Sequence, residues 1–261
     1  MTNQEIRQKT KGLLKGNLAM ASVIILIYGM IAGVGMSVVS PLLSLIDYFE
    51  LNMAIYWIVY IIGMVATYLI QGAVLLGYAN IFLKLGSGQK VAIGELFSCT
   101  KHTIKAFKLV FMIGIKIFLW SLLFIVPGIL KALSYSMAIY IMAEDPNKDV
   151  NECMKESEEL MRGKRGQLVG LTMSIVGWLV LGYFALIILI ILGAVLGSAV
   201  GVAAVILLGL LGVVLIFGLI IASYPISAYL ETCRIVFYYS IKPVDYSYDA
   251  MNIEANEGNY F

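Results

Sequence analysis

Two lysines stand inside stretches that are otherwise free of charge. Lys116 falls within the apolar run 109–126, and Lys131 follows Val126-Pro127-Gly128 in the run 129–143. An ammonium group deep in such a run is costly and ordinarily faces protein, a water-filled cavity or an anion. Ser134 and Tyr135 lie within a turn of Lys131, and the pair Pro127-Gly128 is expected to break a helix and free backbone carbonyls beside it. The chemistry such a group can do is to hold a small anion or a lipid headgroup. The plainer alternatives are that Lys116 snorkels and that Lys131 only reaches the far headgroup layer.

Other chemistry has no residues to carry it. There is no GxSxG elbow, no HExxH and no phosphate loop, because Gly86-Ser87-Gly88-Gln89-Lys90 lacks the spacing. A single histidine, His102, cannot build a multi-histidine metal site. Cys99, Cys153 and Cys233 lie far apart, which speaks against both a disulfide framework and a thiolate metal site. Every Asp and Glu falls outside the apolar runs, so a proton-coupled carrier lacks its usual embedded carboxylate. The expectation is no catalytic residue, no metal, no cofactor and no enzyme. Nucleic-acid binding would need a soluble basic domain that the chain does not have.

The elements that must position these lysines follow from composition. Of 261 residues 61% are hydrophobic and 13% charged, with a mean hydropathy of +0.93. Soluble domains carry roughly 25% charged residues, so this chain cannot cover a water-facing surface. It is expected to be all-α, a polytopic helical membrane protein. A crossing helix needs about 20 apolar residues. Candidate spans lie near 18–40, ending by Pro41; 53–82, longer than a bilayer requires; 107–126; 129–143; 167–192; and 200–222, with Gly193–Gly201 as the turn before the last. The charge-free stretch after Lys15 is too long for a signal peptide and reads as a retained first span.

Insertion arithmetic separates the third span from the fourth. Residues 109–126 hold 13 of Leu, Ile, Val and Phe, worth roughly −4 to −8 kcal/mol at about −0.3 to −0.6 each. That tolerates Lys116. Residues 129–143 hold five, roughly −1.5 to −3 kcal/mol, which a deep Lys131 would cancel at about +2.5 to +3.5. The fourth segment therefore inserts only as the hairpin partner of the third, either crossing fully or re-entering. Apart from Lys116 and Lys131, all of the 18 basic residues fall on one side of this arrangement. The positive-inside rule makes that side cytoplasmic and places both termini there, in a multi-pass plasma-membrane protein.

Helices lying on the cytoplasmic face are expected near 3–16, 93–106, 149–163 and 225–241. In the third, Val150, Cys153, Met154, Ser157 and Met161 recur at helical spacing after a capping Asp149. Arg162, Lys164 and Arg165, with Lys15 at the first helix, form a basic surface for anionic headgroups or for a partner protein. Tyr224-Pro225 is expected to open the fourth, with Glu231 and Arg234 paired and Tyr238 and Tyr239 at headgroup level. Gln71 suits an interhelical hydrogen bond, and Gly29/Gly33 close helix packing. Leu14-Lys15-Gly16 and Met161-Arg162-Gly163, each before a span, make a weak internal echo. The whole of 1–242 reads as one helical membrane domain, followed by a polar, acidic, mobile tail at 243–261.

LLKGN at 13–17, VPGILKALSYSMAIYIMAEDP at 126–146, SEELMRGKRGQL at 157–168, Trp178 and AYLETCRIVFYYSI at 228–241 resemble the integral membrane family filed as domain of unknown function 975, common in Gram-positive bacteria. The resemblance covers about 4–241. It implies a mostly helical bacterial membrane protein and implies no reaction. The expected function is a non-enzymatic scaffold or accessory subunit that engages membrane lipids or a cytoplasmic partner. The alternative is a small permease or lipid translocator working through Lys116 and Lys131; the oligomeric state is not legible.

Overall fold

Backbone polar groups inside lipid must be satisfied within their own segment, and helices do this. The computed structural model describes residues 1–48, 52–200 and 202–242, and all regular structure among them is helical. In chain order the α-helices are α1 (Asn3–Leu14), α2 (Leu18–Tyr48), α3 (Met53–Gly86), α4 (Thr103–Leu123), α5 (Ile125–Ser134), α6 (Ala138–Glu144), α7 (Val150–Leu160), α8 (Arg165–Val200) and α9 (Val202–Ile241). Two short 3-10 helices, Ile93–Phe97 and Thr100–His102, precede α4. Six segments are long and apolar enough to cross a membrane: Leu18–Ile46, Met53–Gly86, Ile93–Leu123, Ile125–Glu144, Arg165–Ile188 and Gly209–Ile241. The chain is an all-α, multi-pass membrane protein. The tail 243–261 lies outside the described residues.

The long helices exceed a bilayer, and burial shows where the excess goes. At about 1.5 Å per residue, the 34 residues of α3 extend about 50 Å, against a hydrocarbon core of about 30 Å. Ile58, Ile61, Ile62 and Tyr68 in its first half are exposed; Leu76, Ile81, Phe82 and Leu85 in its second half are fully buried. In α9 the same change separates exposed Leu210–Ile221 from buried Cys233–Tyr238. One half of the molecule is thus a bundle with apolar side chains turned outward. The other is a protein core built from the lower ends of α3 and α9, α6, α7, Leu96 and one face of α1.

Packing of that core explains several local features. A Cβ at Gly77 would collide with the Leu96 carbonyl, so glycine is what lets the Ile93–Phe97 turn lie against α3. α1 is capped by Thr2, whose hydroxyl accepts from the Glu5 amide while the Glu5 carboxylate accepts from the Thr2 amide. It buries Ile6 and Leu14 and reaches α8 through hydrogen bonds from Arg7 to Ser174 and from Gln167 to the Met1 carbonyl. Two charged networks tie α6 to α9. Tyr140 and Arg234 both donate to Glu231, at 2.8 and 2.9 Å, and Tyr238 and Lys242 share one oxygen of Glu144 at 2.7 and 2.5 Å.

Several expectations need correction. α2 does not stop at Pro41 but runs through it to Tyr48. Residues 193–200 are not a turn, since α8 stays helical to Val200 and only Gly201 separates it from α9. In lipid the alternative to an intrahelical bond is none, so the glycines remain helical. Tyr224-Pro225 opens no new helix, because α9 continues through Pro225, and Tyr238 is buried on Glu144 rather than placed among headgroups. Residues 93–106 form two 3-10 turns and the start of α4 instead of one amphipathic helix; Leu96 is buried but Phe97 and Ile104 point outward. α7 has the expected Asp149 cap, accepting from the Asn151 amide at 3.0 Å. Its apolar face covers protein, not lipid: Val150, Cys153, Met154 and Ser157 are all buried. Gln71 donates to the Ala32 carbonyl on α2 as expected, whereas a Cβ at Gly29 or Gly33 would meet nothing.

Candidate functional site

The lysines of interest sit on two arms of a hairpin. α4 ends when Phe124 adopts an extended backbone (φ −157°, ψ 145°), and α5 begins at the next residue. The break therefore falls three residues before Pro127, which lies in the first turn of α5, where a missing N–H costs nothing. Gly128 does not free carbonyls either. It is the contact point of the two arms, because a side chain there would strike Ser121.

A second interruption follows at Tyr135–Met137, which divides the fourth apolar segment into α5 and α6, only ten and seven residues long. α7 repairs it. The Ser157 hydroxyl, fully buried, donates to the Ser134 carbonyl at 2.7 Å and accepts from the Met137 amide at 3.2 Å. A serine in an otherwise apolar stripe is explained by this pair of bonds.

Around the repaired break the structure gathers Lys116, Lys131, Tyr135 and Glu158. Lys131 donates to Glu158 at 2.6 Å. Its ammonium also lies over the Trp120 ring at 5.4 Å and the Tyr135 ring at 5.7 Å. The Lys116 ammonium stands 5.7 Å from the same tyrosine ring. The hydrogen bond from Lys131 holds the Glu158 carboxyl below its usual range, and the charges of Arg165 and Lys116 act in the same direction. Lys131 thus pairs with the carboxylate directly, while Lys116 shares the Tyr135 ring with Lys131. The site can hold a phosphate or another anion beside an apolar surface.

Sequence reasoning located part of this. Lys116, Lys131 and Tyr135 do converge. Ser134 does not join them, since its hydroxyl is buried and donates to the Leu130 carbonyl at 2.6 Å. The partner of Lys131 is Glu158 on α7. Glu158, Trp120 and Ser157 were missed as members. Glu158 and Ser157 are 20 to 27 residues away in sequence from the groups they meet, and no spacing rule connects them. Of the basic surface residues, Lys15, Arg162 and Lys164 are exposed and Arg165 is half-buried. Elsewhere a cavity of about 620 Å³ opens between α3 and α4, lined by Met64, Tyr68, Gln71, Phe111 and Phe118, with Tyr28 of α2.

A polytopic helical membrane protein with a buried foot and a cationic cluster at a hairpin defines the class. The chain matches the family described as protein of unknown function (DUF975) over residues 1–134 and 125–245, and belongs to it. The two matched stretches each begin with or contain a short helix leading through a left-handed glycine, Gly16 (φ 91°) or Gly163 (φ 74°), into a pair of long helices. No curated protein and no solved structure matches the chain.

Proposed function

We propose that this protein is a non-enzymatic membrane scaffold or accessory subunit of the plasma membrane, with its buried foot and both termini in the cytoplasm. One observation carries the reading: α1 and α7 spend their apolar faces on the protein's own core, leaving polar, charge-rich faces outward. Lys9 and Lys11 on α1 with Lys15 just past its end, and Glu152, Lys155 and Glu159 on α7 with Arg162 and Lys164 in the turn after it, are exposed. Such faces engage anionic headgroups or a charged partner and do not insert on their own.

Native mass spectrometry of protein purified in mild detergent tests this. Wild type should carry bound anionic lipid or a stoichiometric partner, and Arg162→Glu combined with Lys164→Glu should lose it without loss of fold. Identical spectra from both would refute the reading. A permease is the second reading, favoured by the cavity beside α4. For it, Lys116→Met should abolish flux of an apolar or anionic substrate while the melting temperature stays unchanged.

A further inference from the structure

α3 and α4 run antiparallel, with Gly72 beside Phe107, and they do not pack evenly along their length. A Cβ on Gly72 would come within 3.3 Å of the Phe107 amide and 3.4 Å of the Thr103 carbonyl, so glycine draws the two backbones together there. Two turns further along α4, a Cβ on Gly114 would meet no atom within 4 Å. The helices close at one glycine and leave room at the other, and that room is the cavity of about 620 Å³. Its volume lies within the range of small-ligand sites, about 300–1,000 Å³. Between Phe107 and Phe118 it follows α4 for about 16 Å, at about 1.5 Å per residue.

The polar groups of the lining are gathered toward the closed end. Gln71 stands there beside Gly72, with Tyr28, one turn before Ala32 on α2, and Tyr68 follows one turn along α3. Gln71 donates to the Ala32 carbonyl at 3.3 Å, which leaves its amide oxygen as an acceptor. The hydroxyls of Tyr28 and Tyr68 have no hydrogen-bond partner among the described residues and can donate. Toward Ile61 and Phe118, which are 56% and 66% exposed, the walls are apolar and open outward.

None of the described lining residues is charged. The two lysines of α4 that adjoin the lining turn elsewhere: the Lys116 ammonium lies over the Tyr135 ring, and the charge of Lys108 acts on Asp149. A carboxylate or phosphate inside the cavity would lack a counter-ion, and burying it so is costly.

We propose that this cavity binds an uncharged, single-chain membrane amphiphile, with its oxygen-bearing head at Tyr28 and Gln71 and its apolar chain along Phe111 and Phe118. An isoprenoid quinone and a monoacylglycerol share that chemistry. The site does not rest on the scaffold reading, whose charged faces lie on α1 and α7. Reversing Arg162 and Lys164 would leave the cavity intact, so the two ideas can fail separately.

Photolabelling of the full chain in phosphatidylcholine nanodiscs tests the site. Diazirine derivatives of a monoacylglycerol and of an isoprenoid quinone are offered one at a time, with a diazirine phosphatidylglycerol as the charged comparison, and the modified peptides are mapped. At least one neutral derivative should label 61–75 and 107–118 in preference to 210–221. An excess of its unlabelled parent should suppress that labelling, and the parent that does so identifies the source. Gly114→Leu fills the open space and favours the helix, so labelling should be lost while the melting temperature holds or rises. Tyr28→Phe should weaken the parent's competition about fivefold, the worth of one neutral hydrogen bond. Equal labelling of these segments by the phosphatidylglycerol derivative, no preference over 210–221, or undiminished labelling of Gly114→Leu would overturn the proposal.

Discussion

The two halves of α3 carry much the same kinds of residue and live in different surroundings. Ile58, Ile61 and Ile62 face outward, while Leu76, Ile81 and Phe82, a few turns on, are enclosed by α6, α9 and Leu96. What distinguishes them is whether protein comes to meet them. A lipid-facing isoleucine gains nothing from close packing that an acyl chain does not already supply, whereas an enclosed phenylalanine depends on the shape of its neighbours. Hydropathy measures the residue and is blind to this difference.

The comparison can be broken by paired substitutions read as melting temperature in detergent. The largest effect belongs to Phe82→Ala, expected to destabilise by about 3–5 kcal/mol, against Ile62→Ala, expected within about 0.5 kcal/mol because its surroundings are solvent-like in either state. Equal losses at both sites would erase the distinction. Gly77→Ala should cost about 1–3 kcal/mol by pressing on the Leu96 backbone. Gly29→Ala, which meets no atom, should be neutral or slightly stabilising.

Ser157→Ala tests the joint between the halves. It strands the buried Met137 amide and the Ser134 carbonyl, and about 1–3 kcal/mol should be lost. The smallest loss expected of a contact at the cluster is electrostatic. The Glu158 carboxyl is held below its usual range by Lys131, so its stabilisation is present above the unfolded pKa and disappears as pH falls through the folded value. The margin of wild type over Glu158→Gln should therefore be below about 1 kcal/mol at neutral pH, since the pair is partly solvated, and should shrink on acidification below about pH 4.5. A margin that grows toward acid would reverse the assigned sign.

The fold was legible where one physical constraint dominates. Long charge-free runs could only be helices in lipid, and the capping Asp149 and the Glu231–Arg234 pair are local features that spacing exposes; the Gln71 hydrogen bond to α2 was legible because a polar side chain in an apolar run needs a partner. Helix ends were read less well, because prolines at 41 and 225 and glycines at 193–200 end helices in water and not in an apolar run. Of the cluster, the lysines announced themselves by cost. Glu158 and Ser157 did not: an acid on a charged helix and a serine in an apolar stripe look ordinary until the chain folds back on them.

The central claim is that the lower ends of the long helices are enclosed by protein and their upper ends by lipid. An apolar diazirine dissolved in the bilayer, activated by light and mapped by peptide mass spectrometry, tests it directly. Modification should concentrate in 54–70, 110–130 and 210–221 and spare 74–85, 150–157 and 233–238. Insertion into 74–85 at a level comparable with 54–70 would contradict the account.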